Sequence, residues 1–537
     1  MTERVFDAIV VGSGAAGGWA AKELTERGLH TLLLEAGPSL DPVADFTPPP
    51  KRADSKIQIL SRAKAVLTGQ HIQARCMSFG PLTRHLFISD RENPYVTPRG
   101  KPFNWYRGRQ VGGRLHLWGR NALRISDHEL KPADFDGFGD NWPISYSDLE
   151  PWYDKVETFL GVCGSPARIP SIPDGRYERP HALTKAEERV LRDLAAKWPG
   201  RPATTCRIVR HNPQRIPLPI LAAQNTGRLT LRSDAVVSHI AVDPSSGLAR
   251  GVVFKDRNTK QEHEVLGKAV VLCASTIESL RIMLNSTSAR HPGGIGNSSG
   301  RLGRYLTDHV LIFQAGPYEP LEESLKADPY DFGAQSGIYV PSFRNTPGAR
   351  ERTFLRGYSL LGSVARIQPG WFFMAIGEML PRRENFVELD PLKRDAWGIP
   401  IPRITCTHGE NEKAMIRDMQ QSLAELTSIC GLPVDHLKRE NLMNRAVYKI
   451  ASSLAYTEEG ALIPGSAVHE CGGAAMGDDP KASVLNRFNQ CWDAKNVFLT
   501  DSAAFTTSPF QNPGLTIMAL SARAGHFIAD QMQRGNL

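Results

Sequence analysis

At about 150 residues per domain the 537-residue chain has room for two to four domains, and 41% apolar with 22% charged residues is ordinary globular usage, which excludes a small disulfide scaffold and a disordered chain. Lys and Arg total 64 against 56 Asp and Glu, a formal charge of +8 spread without a long basic block, which argues against nucleic acid as a dedicated partner. The eight cysteines are scattered, with no CxxC and no Cys/His ligand spacing, so they read as reduced packing thiols and no metal centre is expected.

No stretch approaches the roughly 18 uncharged apolar residues of a membrane span. A strand pattern begins within six residues of Met1, leaving no room for a signal peptide, and the expected location is cytoplasmic.

The first informative segment runs from Phe6 to Gly37. An apolar run, Ala8 to Val11, meets Gly12-Ser13-Gly14-Ala15-Ala16-Gly17; then Trp19, Ala20, Ala21 and Leu24 recur at helical spacing, and Thr31 to Leu34 form a second apolar run ending at Glu35. This is a βαβ unit with a dinucleotide fingerprint. Gly12 permits the tight turn, Gly14 lets the backbone approach a pyrophosphate, and Gly17 lets helix and strand pack closely. The helix N-terminus offers N–H groups and a positive dipole end to the phosphates. Glu35 stands where an acid accepts hydrogen bonds from a ribose and disfavours a 2′-phosphate. FAD and NAD share the half of the molecule that this unit reads, so the fingerprint alone does not choose between them.

Thr226 to Asp243 and Gly251 to Leu272 read as alternating strands, and an amphipathic helix is expected near Glu412 to Ile429. Towards the end come Val468-His469-Glu470-Cys471-Gly472-Gly473-Ala474-Ala475-Met476-Gly477, the apolar run Val497 to Leu499 followed by Asp501, and Asn512-Pro513 ahead of a helix with Ile517, Leu520, Ala524, Phe527 and Ile528 on one face. Asn512 is the expected N-cap and Pro513 the first helical residue. That helix end carries partial positive charge, which favours the reduced form of a flavin placed against it. Asp501 sits at a strand end, where it meets a ribityl hydroxyl or serves as a turn acid.

With these pieces the chain resembles the glucose-methanol-choline (GMC) flavoprotein oxidoreductases. The glycine unit, the HxxGG…MG segment and the NPxLTIMAL helix carry the likeness, with Arg109-Gln110-Val111-Gly112-Gly113, Val270 to Ser275 with Glu278, and Asp308-His309 between them. The resemblance spans nearly the whole chain and implies bound FAD and alcohol oxidation. It implies an α/β fold: a Rossmann-like FAD-binding domain (1–165, 220–315 and 458–537) with an inserted α+β substrate domain on an antiparallel sheet (166–219 and 316–457). That insert is expected to carry a helix from Thr184 to Lys197 and a sheet from Arg352 to Val387.

By the same resemblance His469 is the base that takes the alcohol proton and Asn512 the second member of the catalytic pair. Taken bare, His469 also reads as an ordinary core histidine and Asn512 as a simple cap. Cofactor contacts are expected from Gly12, Gly14, Ala15, Gly17, Glu35, Arg109, Gly112, Gly113, Ala274, Asp501 and Pro513, with Val236 and Val237 meeting the adenine through their backbone. Some relatives attach FAD covalently through a histidine five residues after Gly112; here that position is Leu117, with His116 one place early, so FAD is expected to be noncovalent.

The likeness is nearest bacterial sugar oxidisers, including the pyranose 2-oxidase and glycoside 3-oxidase groups, and implies oxidation of a secondary sugar hydroxyl, with C3 of a glucoside favoured. Trp371, Phe372 and Phe373 either line a pocket for an aromatic aglycone or belong to a sheet core. An aromatic or terpenoid alcohol and a non-redox lyase reaction are the alternatives. The electron acceptor, whether oxygen, a quinone or another species, is left open.

Overall fold

The computed structural model describes residues 5–46, 55–210, 212, 217–318, 336–351, 353–366, 370–434 and 455–537. Arg352 and parts of the expected substrate segments 166–219 and 316–457 therefore lie outside the described residues.

Strand β1 (Phe6–Val11), helix α1 (Ala15–Glu26) and β2 (Thr31–Leu34) follow the sequence pattern closely, because the apolar runs are buried on both faces and the helix buries Trp19, Ala20 and Leu24. Strand β3 (Leu229–Arg232) extends the sheet beside β2, and β4 (Ala235–Val242), β5 (Ala249–Asp256) and β6 (Glu262–Leu272) complete it in the order β3-β2-β1-β6-β5-β4. Its β3, β2, β1 and β6 pair in parallel, and the short strand Val497–Leu499 pairs in parallel with β6. Helix α2 (Thr276–Asn285) leaves β6 directly, through Ser275, whose φ of +75° is unusual for a residue with a side chain.

A second, antiparallel sheet holds β7 (Val310–Gly316), β8 (Ile338–Val340), β9 (Tyr358–Val364) and β10 (Trp371–Gly377), in the order β7-β10-β9-β8 with Thr204–Thr205 at its edge. Helix α3 (Glu410–Ile429) packs on β7 and β10, burying Met415, Met419 and Leu423. A third sheet joins Arg304–Thr307 to Phe386–Arg394, Pro400–Thr405 and Cys471–Gly473. The mixed sheets are those of an α/β Rossmann FAD-binding fold with an added substrate sheet.

Helix α4 (Gly514–Gln533) lies along α1: Ser521 donates to the Ala16 carbonyl at 2.6 Å, and Gly525 packs on Glu23, so the two ends of the chain share one layer. The expected helix Thr184–Lys197 spans Lys185–Lys197 with Thr184 as its cap. All eight cysteines are buried and unpaired. Among the described residues no helix is long and apolar enough to cross a membrane.

Candidate active site

The carboxyl ends of β1, β2 and β6 and the start of α4 open on one cavity of about 400 Å³, within the size range of ligand sites. Of the sequence-derived site residues, all but Gly17 and Gly112 border it. Those two act behind the wall. A Cβ on Gly17 would lie 1.7 Å from the Gly12 carbonyl oxygen, so any side chain there pushes α1 off the turn. Gly112 donates its N–H to Ser13 Oγ at 3.0 Å, and its φ of +94° turns the following loop over the head of α1.

Gly14 differs from its neighbours: a Cβ built on it meets nothing within 4 Å. The open space at the N-terminus of α1, with a glycine backbone at its floor, is the cradle a pyrophosphate requires. Gly113 covers it from the other side, since a Cβ there would come 3.3 Å from the Gly14 Cα. Glu35 accepts from Ser13 N at 3.1 Å, Ser13 Oγ at 2.5 Å and Gly37 N at 3.0 Å. Burial raises its pKa against those bonds. It thus clamps the glycine turn to β2 while still facing the cavity.

Val236 and Val237, on β4, line the wall beyond Glu35. Arg109 pairs with Glu278 at 2.5 Å; burial alone would raise the Glu278 pKa, but Arg109, Arg281 and Arg107 hold it at about 2. Asp501 accepts from Ser279 Oγ at 2.5 Å and from Ala503 N at 2.9 Å, and burial lifts its pKa to about 6. It is both the turn acid and a cavity-lining group. These residues fit the ADP, ribityl and ring portions of an FAD molecule.

Leu117 borders the cavity, whereas His116 is turned away, its Nε2 lying 2.8 Å from the Val111 carbonyl. Leu117 thus offers the cavity a side chain with no nucleophilic atom.

At the other end lie His469 and Asn512. Nδ1 of His469 is 2.8 Å from Nδ1 of His309, and Nε2 of His309 is 2.8 Å from the Pro509 carbonyl. A carbonyl only accepts, so His309 carries its proton on Nε2. Burial lowers its pKa to about 4 and keeps it neutral, leaving Nδ1 as a lone pair. His469 must then donate through Nδ1, which fixes its Nε2 as the lone pair. Burial, reinforced by His309 and the Arg114 charge, also pushes the His469 pKa well down, so the ring stays a neutral acceptor. Asn512 Nδ2 lies 3.4 Å from that Nε2, and Asn512 Oδ1 is buried without a partner.

His309 is the functional residue to which sequence reasoning gave no role, although the Asp308-His309 pair stood out as a family piece. Its neighbour Asp308 accepts from Gly465 N at 2.6 Å and His469 N at 3.1 Å, so it holds the backbone on which the His469 ring is mounted. Burial, with the charge of Glu470, lifts the Asp308 pKa to about 7.

The structure corrects one expectation and decides between two alternatives. Helix α4 begins at Gly514 with Pro513 as N-cap, the Pro513 carbonyl accepting from Ile517 N at 2.9 Å. Asn512 therefore stands before the cap, because its side chain is drawn towards His469 instead. Trp371, Phe372 and Phe373 do not border the cavity. Trp371 and Phe373 are buried in the main core, Trp371 Nε1 donating to the Pro433 carbonyl at 2.8 Å, and Phe372 stacks on Phe313. From β10 it is Met374 and Ile376 that reach the cavity.

The GMC oxidoreductase family models match residues 6–311 and 381–521. Relatives include 2-methyl-1,2-propanediol dehydrogenase of Mycolicibacterium austroafricanum, 27% identical over 97% of this chain and 95% of that one. Paromamine 6'-oxidase of Streptomyces fradiae is 26% identical over 99% and 92% of the two chains, and C-glycoside 3-oxidase of Microbacterium trichothecenolyticum is 23% identical over 99% of each. Among solved structures, a formate oxidase of Aspergillus oryzae RIB40, in a variant studied for FAD modification, superposes with a TM-score of 0.68 at 14% identity, covering 99% of this chain and 100% of that one. Pyridoxine 4-oxidase of Mesorbium loti gives 0.60 at 16% identity, over 98% and 99%. These likenesses share the fold described above, and the chain belongs to the FAD-binding GMC oxidoreductases.

Proposed function

We propose that the protein oxidises a hydroxyl-bearing carbon of a sugar or glycoside to a ketone, with the C3 hydroxyl of a glucoside as the favoured target. The observation that carries this is the His309–His469–Asn512 arrangement, which leaves a lone pair on His469 Nε2 and an unpaired carboxamide oxygen at one end of the cavity. The alcohol O–H donates to His469 Nε2 as Asn512 Nδ2 donates to the same oxygen, so that the proton leaves along a fixed line. His309 keeps the tautomer and takes the strengthened hydrogen bond when His469 becomes charged. Bound FAD supplies the hydride acceptor.

In this reading Gly12, Gly14, Ala15, Gly17, Glu35, Arg109, Gly112, Gly113, Val236, Val237, Ala274, Asp501 and Pro513 hold the FAD, which is noncovalent because Leu117 offers no attachment atom. The cofactor domain comprises 1–165, 220–315 and 458–537, and the substrate domain 166–219 and 316–457. Relatives named as glycoside and aminoglycoside oxidases support the substrate class.

The test is an anaerobic screen of sugars, glycosides and simple alcohols for bleaching of the flavin absorbance, with the ketone position identified. Oxidised flavin throughout, with turnover, means a lyase. A second reading, a small branched diol, is favoured by the apolar side chains Leu311, Met374 and Ile376 on the cavity wall and by the relative named for 2-methyl-1,2-propanediol. Bleaching by such a diol and by no sugar establishes it over the first.

A further inference from the structure

The part of the cavity wall supplied by the second sheet is apolar: Leu311 on β7 is the register partner of Ile376 on β10, and Met374 lies two residues away on the same face. Such a wall solvates no hydroxyl. One carboxamide interrupts it. Asn121, 8% exposed, follows the loop that carries Leu117 and bridges to Ile208 of a neighbouring strand. Its Oδ1 accepts from Cys206 Sγ at 3.1 Å, and Cys206 packs in one cluster with Leu311 and Ile376. Burial raises the Cys206 pKa to about 12, so the thiol keeps its hydrogen and remains a donor.

That contact decides which end of the amide faces the cavity. With Oδ1 taken by the thiol, Nδ2 is left beside Gly119, where a Cβ would lie 3.5 Å from it, and both residues border the cavity. Among the described residues Nδ2 has no hydrogen-bond partner. Nδ2 thus keeps two N–H groups open to the cavity, where a ligand oxygen can accept them. Ser336, 3% exposed, adds a hydroxyl to the same cavity.

We infer that Asn121 reads a second oxygen of the substrate, distinct from the hydroxyl that meets His469, and so selects polyols and glycosides over mono-alcohols of the same carbon skeleton. The inference rests on the reading of this cavity as an alcohol site and narrows it. A site built to bond a substrate oxygen rejects the analogue that lacks it far more strongly than an apolar pocket rejects an extra hydroxyl. Both leading substrate classes, glycosides and branched diols, carry such an oxygen, so Asn121 serves either.

The experiment compares FAD-loaded wild type with Asn121→Ala and the isosteric Asn121→Asp, which replaces the donor by an acceptor at constant volume. Binding of methyl β-glucoside, of a vicinal diol and of the matching mono-alcohol is titrated calorimetrically under anaerobic conditions on holoenzyme whose flavin has first been reduced with dithionite, so that it accepts no hydride. Flavin content and thermal midpoint are recorded alongside. Wild type should bind the diol or the glucoside more tightly than the mono-alcohol. Both variants should weaken that binding by about tenfold or more, the scale for a ligand oxygen left buried without its donor, and leave the mono-alcohol within about twofold.

Equal weakening for all three ligands, unchanged binding of the diol and glucoside, or a wild type with no preference for them overturns the inference. Failure of every alcohol to reduce wild-type flavin would instead remove the proposed reaction, and the titration still decides whether Asn121 recognises the second oxygen.

Discussion

Replacing His309 by Leu removes the acceptor that fixes the tautomer of the base. In the wild type one proton sits on His309 Nε2, held by the Pro509 carbonyl at 2.8 Å, and one on His469 Nδ1, held by His309 at 2.8 Å. In His309→Leu the His469 Nδ1–H faces a methyl group, and a buried donor without a partner costs about 1–3 kcal/mol. The ring avoids that cost by moving its proton to Nε2, where it blocks the lone pair that should take the alcohol proton. At about 1.4 kcal/mol per factor of ten, flavin reduction should slow about 5- to 150-fold. The assay is anaerobic stopped-flow reduction at saturating substrate, on protein whose FAD content equals that of the wild type. His309→Gln, which can again present an acceptor to Nδ1, should recover part of the loss. A His309→Leu protein that is fully loaded and reduced at the wild-type rate would show that His469 does not depend on this pair.

Other substitutions and conditions test separate parts of the site. Gly14→Val has space around its backbone position but projects into the phosphate cradle, so it should fold and purify without FAD, whereas Gly17→Ala meets the Gly12 carbonyl and should lose soluble protein; flavin absorbance and yield distinguish the two. Acid precipitation of the holoprotein should leave all flavin in the supernatant, because Leu117 occupies the attachment position, and yellow precipitate would contradict this. Since burial lowers the pKa values of both His469 and His309, both rings stay neutral as pH falls past the ordinary histidine midpoint of about 6.5. The histidines therefore add no inflection between pH 8 and that point; Asp308, with its pKa of about 7, is the group beside His469 that titrates there, so any inflection in the reduction rate should disappear in Asp308→Asn, and one that persists would show an exposed base. Asn512→Ala should lower the reduction rate while shifting stability by less than the roughly 1 kcal/mol of a lost N-cap, measured by urea unfolding, because Pro513 and not Asn512 caps α4.

The cofactor end was legible in the sequence because its information is local. Phe6 to Glu35 carries strand and helix periods, glycine spacing and the acid within one contiguous unit, and α1 and β2 fall where those periods put them. Helix α3 was legible for the same reason, starting two residues before the expected Glu412. The chemistry end is less local. His309 and His469 are 160 positions apart, and nothing in either neighbourhood states that their rings meet at 2.8 Å. Asn512 satisfied every local rule for a cap, but a tertiary contact with His469 drew its side chain away. Of the two readings of the aromatic run at Trp371, the sheet core holds because a strand alternates its faces: three consecutive side chains cannot all point into one cavity. Met374 and Ile376, bland in sequence, are the ones placed there.

The pairing of α1 with α4 has a consequence for biosynthesis. Residues 15–26 leave the ribosome long before their partner layer, residues 514–533, and the strand 497–499 beside β6. At about 5–20 residues per second, the nascent glycine turn waits roughly 30–100 s before its sheet can be finished. The cofactor site is thus completed only after that interval, during which the unfinished sheet displays apolar strands to chaperones. Loss of residues 497–533, by an early stop codon or a protease, would abolish flavin loading at the distant glycine turn, where every glycine of the fingerprint is intact.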